Sequence, residues 1–66
     1  MKAIFTNIEN GSKFIFTDVI SYDIESNPMT FLLDVLIGID QERQEIRQEV
    51  TQEISKLEFT VEVIDE

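Results

Sequence analysis

The chain has 66 residues, with 14 acidic side chains against 5 basic ones and a formal net charge of -9; it contains no His, Cys or Trp. That composition removes the commonest general base, thiol nucleophiles, disulfides and zinc sites of the Cys/His type. A surface this acidic also repels nucleic acid and anionic membranes.

A hydrophobic fraction of 42% is enough for one small core, so a single domain over residues 1–66 is expected. The absence of Cys is compatible with a reducing cytoplasm. No basic start followed by an apolar run marks a secretory signal, and the stretch from Met29 to Ile39 is interrupted by Asp34 and too short to span a bilayer. A soluble, cytoplasmic protein is the expectation.

In chain order, Lys2 to Ile8 is rich in Ile, Phe and Thr and reads as a strand that stops at Asn10-Gly11, a hairpin signal because both residues tolerate positive φ. Lys13 to Glu25 alternates with period two. Phe14, Phe16, Ile20, Tyr22 and Ile24 share one face, and Ile15, Thr17, Val19, Ser21 and Asp23 share the other. Asp18 breaks the alternation, so a bulge or twist is expected near Thr17-Asp18. Ser26-Asn27-Pro28 predicts a turn.

Residues 30–39 fit two patterns. Phe31, Val35 and Leu36 have roughly helical spacing, whereas Phe31, Leu33, Val35, Ile37 and Ile39 also alternate as a strand. The strand is preferred because it sets Ile24, Tyr22 and Ile20 against Phe31, Leu33 and Val35. Next, Asp40-Gln41-Glu42-Arg43 reads as an acidic helix start. Ile46, Val50, Ile54 and Leu57 follow at intervals of four, four and three, an amphipathic helical stripe, with Lys56 in the last turn. Glu58 to Val63 alternates as a final strand, and Ile64-Asp65-Glu66 reads as a frayed tail.

The predicted fold is α+β: β-β-β-α-β, a small four-stranded, mostly antiparallel sheet in the order 3-2-1-4 with one amphipathic helix on one face. The last strand is expected beside strand one and parallel to it.

No arrangement of these residues points to catalysis, a cofactor or a metal. Glu45, Glu49 and Glu53 lie on the solvent side of the predicted helix; Gly11 and Gly38 are isolated, so there is no phosphate loop; Asp34 and Asp40 lack the ligand spacing of a calcium loop. Two surfaces remain. A single helix leaves one sheet face bare, and that face would carry Ile15, Val19, Leu32 and Leu36, an apolar group that marks a protein interface. The other surface is acidic: Asp40, Glu42, Glu45, Glu49 and Glu53 along the helix, with Asp18, Asp23, Asp34, Glu58 and Glu62 on the sheet. It could imitate a phosphate backbone and block a nucleic-acid-binding enzyme, although Arg43 and Arg47 interrupt the row.

The expected function is therefore a non-enzymatic protein-binding accessory module that forms a homodimer or higher homo-oligomer, with the acidic inhibitor as the alternative and a small part of a virion or secretion assembly as a third reading. A short, acidic, Ile-rich chain with a Gln/Glu-rich segment resembles the small accessory proteins of low-GC Gram-positive bacteria and their phages, although no motif carries that resemblance.

Overall fold

A computed structural model describes residues 1–65. Its order is β1 (Lys2–Asn7), β2 (Lys13–Phe16), β3 (Val19–Asp23), β4 (Met29–Ile39), β5 (Glu45–Ile54) and β6 (Phe59–Ile64). These six strands form two three-stranded antiparallel sheets, β2-β1-β6 and β3-β4-β5. There is no helix among the described residues, so the α+β prediction is corrected to an all-β fold.

The segment predicted as helix is β5. Ile46, Val50 and Ile54 recur every four residues, and four is an even number, so they share one face of a strand as readily as one face of a helix. Pairing decides between the two. β4 is long, and β5 lies antiparallel to it from Met29↔Ile54 to Ile39↔Glu45, so the two pair along one edge over nearly their whole length. Asp40 does cap backbone N–H groups, as its position suggested, but those of a hairpin loop. Its Oδ1 accepts from the N–H groups of Glu42 at 2.9 Å and Gln44 at 2.8 Å, while Arg43 turns the chain at φ 63°.

β6 lies beside β1 as expected, but antiparallel to it. Of the predicted tail, Ile64 is in β6 opposite Lys2, and Glu66 lies outside the described residues.

β2 and β3 act as one strand that changes sheets. The break falls at Thr17-Asp18, where Asp18 takes φ 56° and its carbonyl accepts the Asp34 N–H at 3.0 Å. Val19 then seals the seam, its N–H donating to the Met1 carbonyl at 2.9 Å. The corner reverses the alternation, so Val19 points inward and is only 4% exposed. A bulge at Ile20 reverses it again and returns Tyr22 to the inner face, opposite Phe31. That pairing places Tyr22 two residues along β4 from the expected Leu33, a shift that preserves the face. The β3–β4 turn contains a cis Asn27-Pro28 bond.

The core lies between the sheets. Ala3, Phe5, Val19, Met29, Phe31 and Leu33 are buried. Phe5 stacks on Phe14 at 4.7 Å and meets Phe16 and Phe31 edge-on at 4.9 and 5.0 Å. Phe5 and Phe31 thus join the sheets, since they come from β1 and β4.

Two predictions follow from this packing and from the turn. Phe31→Ala removes a fully buried ring that touches both sheets, at a cost of about 3–5 kcal/mol, a large share of what so small a domain has; urea titration should show the variant largely unfolded in water. The Asp23 carboxylate caps the β3–β4 turn by accepting from the N–H of Glu25 at 3.0 Å and from the N–H and hydroxyl of Ser26. The Glu25 N–H foremost, then the Ser26 hydroxyl, hold its pKa below the ordinary aspartate value. A lowered folded pKa means the cap stabilises fully above the ordinary value and fades as pH falls through the folded one. The melting difference between parent and Asp23→Ala should accordingly be present at neutral pH and shrink below the ordinary aspartate range.

Candidate functional site

β4 outruns its own sheet. β3 accompanies it only as far as Val19↔Leu33, whereas β4 and β5 continue together to Ile39 and Glu45. Residues 35–39 and 45–48 therefore form a two-stranded arm of roughly 14 Å, at about 3.4 Å per residue of β5. The arm accounts for the elongated shape, 45 × 22 × 20 Å.

Its surface is more apolar than an arm in water calls for. Leu36 is 48% exposed, Ile37 57% and Ile39 64%, and Ile46 is also exposed. Ile37 is placed there by a bulge between Leu36 and Gly38. On the outer face Leu36 lies opposite Arg47, and Asp34 opposite Glu49. Arg47 holds this face together, donating to Glu45 Oε2 at 2.7 Å and to Asp34 Oδ2 at 3.4 Å. The hydrogen bond donated to Glu45, then that carboxylate's charge, raise the guanidinium pKa above its ordinary value. Both ion pairs are exposed, so their value is organisational more than energetic.

A groove of about 300 Å³ runs where the arm leaves the body, lined by Ile15 to Asp18 from the sheet corner and Leu33 to Leu36 from β4. It brings together two of the four apolar residues singled out in the sequence. Ile15, on the outer face of β2 opposite Ile4, is 52% exposed, and Leu36 faces it from the other sheet. The other two lie elsewhere. Val19 is a core residue because of the corner at Asp18, and Leu32 is half-buried on the outer face of β4 between Ser21 and Thr51. Ile37, Ile39 and Ile46 were missed as surface residues. The available signal was the length of the apolar run after Pro28, which extends well past the end of β3.

The acidic residues separate in the same way. Asp40 and Glu42 are in the arm's loop, and Glu45, Glu49 and Glu53 share the outer face of β5 with Arg47 and Thr51. Four residues along a strand separate carboxylates by about 14 Å, where a helix would hold them about 6 Å apart. The row is therefore sparse beside a nucleic-acid backbone, which carries a charge every ~3.4 Å of axis on each strand.

Among the described residues no three His, Cys, Asp or Glu side chains are grouped to hold a metal ion, and no helix is long and apolar enough to cross a membrane. At the other end of the hairpin, Ile8 and Leu57 line a smaller hollow of about 150 Å³ with Asn7, Glu9 and Glu58. Comparison with protein-family models, with curated proteins and with solved structures finds no match.

Proposed function

We propose that this chain is a non-enzymatic, cytoplasmic accessory module that binds protein, associating with itself and docking onto a partner through the β4–β5 arm and the groove at its root. The observation that carries this reading is the arm: Leu36, Ile37, Ile39 and Ile46 are exposed on a ribbon that no third strand among the described residues supports. Leu36 and Ile39 lie on the outer face, opposite Arg47 and Glu45, and Ile46 on the inner one; large apolar side chains exposed together on one short ribbon mark interaction surfaces, and a lone two-stranded hairpin is marginal in water. Asp18 and Asp34 flank the groove, which favours a partner segment that places an apolar side chain beside a basic one.

The acidic inhibitor is the second reading, supported by the net charge of -9 and the outward row on β5. Salt separates the two. Apolar self-association between chains of like charge tightens as salt screens their repulsion, whereas capture of a basic cleft weakens. The test replaces two exposed apolar residues of the arm, Leu36→Asp with Ile46→Asp, which should leave the melting temperature nearly unchanged. Light scattering across a concentration and salt series should show the parent associating and the double variant at least tenfold weaker. A parent that remains monomeric at hundreds of micromolar in high salt contradicts the proposal.

A further inference from the structure

We infer that the open edge of β5 is a self-pairing edge: two copies join antiparallel, β5 to β5, about a two-fold axis at Gln48, making one continuous six-stranded sheet. This deepens the proposed self-association and rests on it. It leaves the groove, on the other side of β4, free for a different partner.

β5 pairs with β4 alone among the described strands, so its outer edge presents a row of unpaired N–H and C=O groups. Such an edge accepts another strand, and charge determines which registers are allowed. About a two-fold axis normal to the sheet, each residue meets the one equally far beyond the axis, on the same face.

Centring on Arg47 sets that arginine against itself and Glu45 against Glu49. Centring on Glu49 sets Glu49 against itself and Glu45 against Glu53. Both registers juxtapose like charges. Ile46 as centre overlaps only Glu45 to Arg47 of the strand. Gln48 as centre brings Arg47 opposite the partner subunit's Glu49, and Ile46 opposite the partner subunit's Val50. Gln44 then meets Gln52, Glu45 meets Thr51, and Arg43 in the loop comes level with Glu53. No charged residue from Arg43 to Glu53 faces a like charge. A register centred on Val50 also avoids like charges, pairing Arg47 with Glu53, but it carries Arg43 past the end of the partner strand.

The second copy is thus argued from complementarity. Both arginines of the chain lie at this edge or its loop, and each finds a carboxylate. The exposed Ile46 gains an apolar neighbour that its own chain does not supply, since it lies opposite Gly38.

The register is tested with Arg47→Glu and Glu49→Arg, each made alone and then mixed. Either substitution alone sets like charges opposite each other twice per dimer. In an equimolar mixture every such contact becomes an opposite pair. Circular dichroism and melting first establish that each variant is folded.

Native mass spectrometry and light scattering should show a parent dimer of twice 7.7 kDa, each single variant at least tenfold weaker, and the mixture restored to a dimer containing one chain of each kind. A parent dimer indifferent to both substitutions overturns the edge register while leaving self-association standing. Restoration by Glu53→Arg in place of Glu49→Arg overturns the Gln48 axis. A monomeric parent overturns this inference and the proposed function together.

Discussion

The contact between Phe5 and Phe31 is the one on which the rest of the structure depends. Neither three-stranded sheet can stand alone in water, because each has an apolar inner face and few residues. The two rings meet edge-on at 5.0 Å from opposite sheets, and Phe14, Phe16 and Phe59 close around them. Fully burying a side chain of this size is worth about 1.5–3 kcal/mol, and well-oriented aromatic pairs add to that. In a chain without disulfides or bulky Trp, these phenylalanines do the work that staples do in other small domains.

The same core explains why the two halves of the molecule differ. Near Phe31, β4 has a strand on each side and a second sheet against its inner face. Past Leu33 it loses β3, and past Val35 it leaves the core, yet Leu36, Ile37 and Ile39 are still large apolar residues. One continuous strand thus runs from a fully buried environment into an open one. Edge strands in monomers are usually short, kinked or charged; here the bulge at Ile37 and the charges of β5 supply some of that protection, while the long overlap of β4 and β5 works against it.

Much of this was legible from the residues. Asn10-Gly11 marked the first turn, Asp18 the break in the second long strand, Pro28 the next turn, and the alternation from Glu58 to Val63 the last strand beside β1. Residues 40–57 were not, because intervals of four satisfy helical and strand periodicity alike, and because Asp40 offers the same side-chain oxygen to a helix start and to a tight loop. The distinguishing signal lay in the partner. A strand as long as β4 needs a neighbour of similar length, and the β-branched Ile46, Val50, Thr51 and Ile54 fit that neighbour better than a helix. Once β5 is a strand, the acidic row spreads out and the apolar arm emerges. Ile15 and Leu36 line one groove, from different sheets, while Val19 goes inside through a corner whose position was visible but whose consequence for facing was not.

Amide hydrogen exchange measured residue by residue over a range of protein concentrations tests the central claim most directly, namely that the Phe core holds the body by itself while the arm depends on a neighbour. Amides of Phe5, Phe31 and Leu33 should exchange slowly and independently of concentration. Those of Val35 to Ile39 and Glu45 to Gln48 should exchange fast in dilute protein and gain protection as concentration rises. Equal protection of arm and body at every dilution, or an arm that exchanges fast at all concentrations, would contradict the account.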